Sequence, residues 1–427
     1  MQWMQMSAKE QRAGWVSMRY IKRSMEEVFT RLNAEYPAIL VTGPCQCGKT
    51  TMLQRLMSQD GCEREYVTLD DANERRLART DPAMFLQLHR PPLLIDEVQY
   101  APELFSCIKA DVDKSHNPGA FWLIGSELFR LMDGVRESLA GRVALLYLWP
   151  LSQQEMYQSC EAMPFALELS SLSLKQKSVQ PVGTPEMFER LFRGGMPALA
   201  SGRYSDSTRY YSDYVSTYLE RDVKAISGAI DSLRFVDFLT AAAARAAQIL
   251  NFKSIADDCG IAQVTAKNWM NILERLGIAF CLHAYSNNVL KRTIKAPKLY
   301  FADTGLVCYL TRWSSPETAM SGAMSGALFE NYVVAEIVKS YRNAGRDAYL
   351  YYYRDRDAKE IDLLIERDGK LWPIEIKKTA APDRKLIRAF KVIDRSPLKV
   401  GAGAVVCMAD KLGAFDEDNL IVPAWLI

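Results

Sequence analysis

The sequence predicts an α/β chain, with a parallel-sheet core at its N-terminal side followed by a helical segment, a winged helix and a small α/β unit. Three observations predict it. A buried-type strand, Ala38 to Thr42, runs through a glycine-bounded loop into a helical stretch from Thr51 to Met57. A second apolar run, Pro91 to Ile95, ends in the paired carboxylates Asp96 and Glu97. Near the other end, two alternating segments, Lys359–Ile365 and Leu371–Lys377, flank an Asp368-Gly369 turn.

The chain has 427 residues, too many for one compact core, so several units are expected. Hydrophobic residues make up 49% and charged residues 24%, and no apolar run approaches the roughly 18 residues that span a bilayer. A membrane protein is not expected. The formal net charge of +2 is near neutral, so any basic binding surface has to be local. Nine cysteines lie in no paired spacing and two of them, Cys45 and Cys47, sit in the glycine-bounded loop, which suits a reducing, cytoplasmic compartment. Residues 1–17 lack the apolar stretch and small-residue cleavage site of a secretory signal and read as an extension.

The first loop is Gly43-Pro44-Cys45-Gln46-Cys47-Gly48-Lys49-Thr50-Thr51, which fits the GxxxxGK[ST] phosphate loop in the required strand–loop–helix order. The order matters because backbone N–H groups and the positive end of the following helix must converge on a β-phosphate without intruding side chains. Lys49 is then placed for the β/γ oxygens of ATP, and Thr50 for Mg²⁺. Asp96, at a strand tip, is the second candidate for Mg²⁺, and Glu97 the candidate base for water. A third apolar strand, Ala120 to Gly125, ends at Ser126, where a polar side chain could sense the γ-phosphate.

These segments, read in order as TGPCQCGKTT, LLIDEVQ, LIGSELFRLM, SLAGR, PLSQQE, GGMPA, YLERDV, FADTGL and LFENYVV, resemble the AAA+-superfamily ATPases that carry a C-terminal DUF4143 domain. The resemblance covers residues 20 to 380. It implies an AAA+-like P-loop core and gives Arg142, in Leu139-Ala-Gly-Arg142, the look of an arginine acting on the γ-phosphate, from its own or a neighbouring subunit; a salt-bridged arginine at a strand entrance is the alternative. Arg221 is a second sensor candidate. Glu127, where an uncharged amide is more usual, is a departure from the pattern.

The expected units are 18–160 for the ATPase core, 161–185 for a serine-rich linker, 186–248 for a helical lid, 249–312 for a winged helix, 313–327 for a small-residue tether and 328–427 for the last domain. The tyrosine-rich stripe of the lid reads as core. In the winged helix, a short helix, a glycine turn at Gly260 and a longer helix precede two strands. From Asn251 to Tyr300 there are seven Lys/Arg against three Asp/Glu, a local surplus for DNA phosphates in which Lys267, Lys291, Arg292 and Lys295 are the candidate contacts.

The last domain resembles PD-(D/E)xK-type, restriction-endonuclease-like folds. Asp362 on one strand, Glu375 and Lys377 on the next and Glu330 on a preceding helix fill the places of two metal-holding carboxylates, a water-activating lysine and a supporting glutamate. An amphipathic hairpin with a solvated charged face is the alternative. The reading that follows is an ATP-driven conformational machine, homo-oligomeric if Arg142 acts between subunits, acting on or docking to DNA. A DNA-binding switch with a silent nuclease-like domain, an ATP-dependent nuclease, and an interaction module in which ATP only orders the fold stand beside it.

Overall fold

The computed structural model describes residues 20–125, 139–157, 163–219, 223, 231–286, 295–355, 357 and 359–427. Five parallel strands form the N-terminal sheet: β1 (Ala38–Thr42), β2 (Glu65–Thr68), β3 (Leu93–Asp96), β4 (Phe121–Gly125) and β5 (Val143–Tyr147), in the order β2-β3-β4-β1-β5. Strands β1, β3 and β4 are buried throughout, as a sheet covered on both faces requires. Ala38 and Leu40 face a layer containing α3 (Ala72–Thr80), α4 (Pro82–Leu88) and α5 (Leu104–Ser115). Ile39 and Val41 face α1 (Met25–Asn33) and α2 (Lys49–Met57).

A short helix α6 (Gln153–Tyr157) leads out of this sheet to α7 (Leu169–Ser178), α8 (Thr184–Arg193), α9 (Ser207–Tyr214) and α10 (Ser232–Ala243). Helices α11 (Phe252–Cys259) and α12 (Gln263–Arg275) follow, joined through Gly260 at φ +61°. Strands β6 (Gln248–Ile249), β7 (Ala279–Ala284) and β8 (Lys298–Phe301) complete the winged-helix arrangement. After α13 (Thr304–Leu310), α14 (Pro316–Ser321) and the long α15 (Ser325–Asn343) come β9 (Leu350–Arg354), β10 (Glu360–Arg367) and β11 (Lys370–Lys377). The β10–β11 turn has Asp368 and Gly369 both at positive φ, 53° and 69°, the primed-turn geometry that Asp-Gly favours. A 3-10 helix, Arg384–Arg395, and strands β12 (Lys399–Val400), β13 (Gly403–Cys407), β14 (Gly413–Asp416) and β15 (Asn419–Pro423) end the fold.

The lid, winged helix and last domain, expected as three units, share one continuous apolar core running from Trp149 to Ile427. Two features join them. Strand β7 pairs in parallel with β9, His283 opposite Tyr351, so wing and C-terminal strands form a single ten-stranded sheet. Helix α15 is buried on nearly every side and lies at the centre of that core.

Two expected connectors are built differently. Residues 161–185 contain α7, and Phe165, Leu167, Leu172 and Val182 are buried in the shared core. The serines hid a helix that docks through Leu172, with Leu169 and Leu174 exposed. Residues 313–327 contain α14, closed by a capping box between Ser315 and Thr318, and α15 already begins at Ser325. The small residues there serve close packing: a Cβ on Gly322 would lie 2.1 Å from the Trp313 ring. The tyrosine stripe is core, with Tyr210, Tyr211 and Tyr214 buried. Among the described residues no helix is long and apolar enough to cross a membrane.

Candidate functional site

The phosphate loop is shaped by close contact as well as by dihedral angle. Gly43 has φ +142°, and a Cβ there would lie 1.9 Å from the Leu148 carbonyl oxygen, so no other residue fits. Gly48, at φ +94°, caps α2 and leaves the first-turn N–H groups of that helix open to the loop. Gln46 between them is held in the left-handed region at φ +60°. The Lys49 ammonium, buried to 7% exposure, donates to the carbonyls of Gly43 and Pro44, both at 2.9 Å. Burial alone would lower the Lys49 pKa, but the Cys47 and Cys45 sulfurs, then Glu97 and Asp96, raise it above the usual lysine range. Thr51, on the next step of α2, is exposed.

Across the loop, Asp96 is buried at the tip of β3 and accepts from the Thr50 hydroxyl at 2.9 Å and the Tyr66 hydroxyl at 3.0 Å, both on Oδ2. A hydroxyl and a carboxylate side by side form the oxygen donor set that a hard divalent cation takes, so the residues fit Mg²⁺. Glu97 sits in the left-handed region at φ +57°, and Gln99 donates to its carboxylate. Burial raises the Glu97 pKa, against the lowering effects of Gln99 and Lys49.

The loop is tied to its surroundings by residues that no motif announces. Buried Arg23 donates to the Cys47 carbonyl at 2.8 Å, the Trp149 carbonyl at 2.7 Å and Glu155 Oε1 at 3.0 Å. From α9, the Tyr210 hydroxyl donates to Gln46 Oε1 at 2.7 Å. From the turn after α12, Gly277 packs so tightly that a Cβ would lie 2.1 Å from the Tyr147 hydroxyl and 3.1 Å from Pro44.

The second candidate site gathers Glu330 of α15, Asp362 of β10, and Glu375 and Lys377 of β11. Lys377 Nζ lies 2.9 Å from Asp362 and 2.7 Å from Glu375. The structure adds a residue: Lys298, 3% exposed, places its ammonium 3.1 Å from Glu330, 2.5 Å from Glu360 and 3.8 Å from Asp362. Tyr300 donates to Glu330 at 2.8 Å and the Ile376 N–H to Asp362 at 2.9 Å. Desolvation, with the Asp362 charge next, pushes Glu330 and Glu375 up to about 7. Among the described residues no three His, Cys, Asp or Glu are arranged to hold a metal ion. The carboxylates surround lysine ammonium groups instead, so this set as it stands does not fit a metal and supplies no metal-assisted step.

Residues 35–157 match the family model described as AAA domain, 184–317 the one described as Domain of unknown function (DUF8612), and 325–427 the one described as Domain of unknown function (DUF4143). The chain carries an AAA domain and a DUF4143 domain. An uncharacterized protein of Mycobacterium tuberculosis and another of Mycobacterium bovis are each 29% identical over 389 residues, which is 91% of this chain and 80% of theirs. Among solved structures, a Walker-type ATPase of Pyrococcus abyssi is similar at 15% identity and a TM-score of 0.42, over 68% of this chain and 96% of that one. The RuvB Holliday junction branch migration motor of Thermotoga maritima gives 16% identity and a TM-score of 0.30, over 64% and 89%.

Arg142 precedes β5 and therefore lies at the edge of the AAA domain's sheet where the strands begin, because β5 runs parallel to β1 with Val143 opposite Ala38. The phosphate loop leaves β1 at the other edge. Five residues of strand separate the two, about 16 Å. Arg142 bonds Asp113, with its Nη2 3.1 Å from Oδ2, which is the salt bridge at a strand entrance expected as the alternative. Ser126, Glu127, Arg221, Lys291 and Arg292 lie outside the described residues.

On the winged helix, Gln263, Val264, Lys267, Asn268, Asn271 and Arg275 form the exposed face of α12, while Ala266, Trp269, Met270 and Leu273 pack inward. Lys295 is exposed beside the wing, 3.3 Å from the Arg354 carbonyl. Lys298, Tyr66, Gln99, Arg23 and Glu155 were missed as site residues. Glu155 was in view within PLSQQE, and a lysine opening the otherwise apolar strand Lys298–Phe301 was the available hint for the second cluster.

Proposed function

We propose that the AAA domain binds and hydrolyses Mg²⁺-ATP and that the exchange of nucleotide moves the helices and sheet packed against it. The observation that carries this is the juxtaposition of the Thr50 hydroxyl and Asp96 carboxylate, 2.9 Å apart, beside the open N-terminus of α2. Thr50 and Asp96 are the residues that would hold the cation, whose charge would offset that of the phosphates. Lys49 exchanges the Gly43 and Pro44 carbonyls for phosphate oxygens. Glu97, kept close to Gln99, is the base that orients and deprotonates water. Tyr66 holds Asp96 in place.

Equilibrium binding of ATP and phosphate release test this reading. Lys49→Ala is expected to abolish retention of ATP; Glu97→Gln is expected to retain ATP while turnover falls about 100-fold or more. Unchanged turnover in both variants would overturn it.

A second reading, docking to duplex DNA, is favoured by the exposed face of α12, where Lys267 and Arg275 flank Asn268 and Asn271. Neutralising about two phosphates gives a log–log salt slope near −2, which Lys267→Ala should reduce by about 1. Duplex affinity that does not respond to salt would exclude it.

A further inference from the structure

The 3-10 helix Arg384–Arg395 belongs to no motif and takes part in neither site described above. Its burial repeats every three residues: Ile387, Phe390 and Ile393 turn inward, whereas Lys385, Arg388, Lys391 and Asp394 are all exposed. A 3-10 helix has three residues per turn and eclipses side chains at i and i+3, so the exposed set stands in one straight row. With a rise of about 2.0 Å per residue, its members are about 6 Å apart and Lys385 to Lys391 spans about 12 Å. An α-helix would skew the same residues around its axis.

We infer that this row is a track for the phosphodiester backbone of a single nucleic-acid strand. Three cations at a constant short interval match successive phosphates along a strand, and Asp394 ends the track with a repelling charge. Arg388 and Lys391 have no ion-pair partner among the described residues, whereas Lys385 lies 3.7 Å from the exposed Asp383 carboxylate and Arg384 is drawn aside to Asp416 at 2.7 Å. The row borders an open cleft of about 660 Å³ that is also lined by Asp383, Asp416, Asp418 and Asn419. Phosphates belong on the row of cations, and the Asp418 carboxylate and Asn419 amide of the same cleft can accept from and donate to sugar and base groups.

The course of the track is set by the sheet beneath it. Leu386 and Ile387 pack on Val405 and Cys407, which pair with Glu375 and Lys377. Phe390 and Ile393 pack on Leu371 and Leu364 further down the same face. A strand lying on the row therefore runs beside β11 and reaches the end that carries Glu375 and Lys377. A duplex is too wide to bring one backbone into the cleft along its whole length, and a free mononucleotide would engage one cation of the three.

Fluorescence anisotropy with a labelled oligothymidine of about twelve nucleotides, titrated with salt, tests the inference. Arg388→Ala combined with Lys391→Ala is expected to weaken binding about tenfold or more and to reduce the magnitude of the log–log salt slope by about 1.4, two phosphates at about 0.7 each. The double variant should keep the wild-type melting temperature and nucleic-acid-free ATP turnover. Unaltered affinity and slope in the double variant would overturn the track. So would competition by thymidine monophosphate or poly-glutamate as effective as the oligonucleotide at equal charge concentration. The inference does not depend on ATP hydrolysis, so an inactive Lys49 variant leaves it standing.

Discussion

Lys298 sits where four carboxylates, Glu330, Glu360, Asp362 and Glu375, are met by two ammonium groups, its own and that of Lys377. Taking these charges out of water is costly, and the pairings offset it incompletely: Glu375 Oε2 is buried without a hydrogen bond. Burial first, and the neighbouring Asp362 charge after it, hold Glu330 and Glu375 at about 7. A carboxyl whose folded pKa is raised keeps its proton where the unfolded chain has released it. Its contribution to stability is therefore greatest at low pH and is lost as pH rises from about 4.5 towards 7. Glu375→Gln, neutral throughout, should melt at a higher temperature relative to wild type at pH 8 than at pH 5, measured in EDTA. A melting difference independent of pH would contradict this. Lys49, Thr50, Asp96 and Glu97 were legible because each site half is contiguous along the chain. Lys298 and Arg23 were not, because their partners lie 24 and more residues away and meet them only after folding.

Between elements, the joint of α8, α9 and α13 is built around Asp303. Its carboxylate caps α13 through Leu306 N–H at 3.0 Å and accepts from Gly195 N–H at 2.7 Å and the Tyr211 hydroxyl at 2.6 Å. Burial, reinforced by that carboxylate, raises the Tyr211 pKa, so the hydroxyl stays a donor. The glycines around it are there for room: a Cβ on Gly194 would lie 2.3 Å from Tyr211 and one on Gly195 2.3 Å from the Leu151 carbonyl. Asp303→Ala leaves the Gly195 and Leu306 N–H groups without their acceptor and the Tyr211 hydroxyl with the Arg193 carbonyl at 3.2 Å, and is expected to lower unfolding free energy by about 3 kcal/mol in urea melts. A loss below about 1 kcal/mol would mean that water replaces the carboxylate. Helix α7 and the 3-10 helix were the elements least legible in sequence. The first has leucines too sparse for a clear apolar stripe, and the second follows a period of three that neither the helical nor the strand template detects.

For the whole molecule, Arg142 lies at the strand-starting edge, about 16 Å from the phosphate loop of its own chain, and is held by Asp113, so a role at a γ-phosphate requires a neighbouring copy. Arg142→Ala should then retain ATP binding and lose turnover, and mixing it with equally inactive Lys49→Ala protein should restore part of the phosphate release, since mixed assemblies contain sites intact in both respects. No recovery on mixing would argue against shared sites. The overall order of units was readable from motifs, whereas their fusion into one core was not, because the β7–β9 pairing that joins them is a contact of distant segments.

Arg23 sets a lower limit on the smallest autonomous piece of this fold. A fragment trimmed to residues 35–157 would keep every group that touches phosphate yet leave the Cys47 carbonyl, the Trp149 carbonyl and the Glu155 carboxylate facing an empty slot. The residues that recognise nucleotide and those that stiffen the recognising loop thus occupy different stretches of chain, and cutting at the recognised boundary separates them.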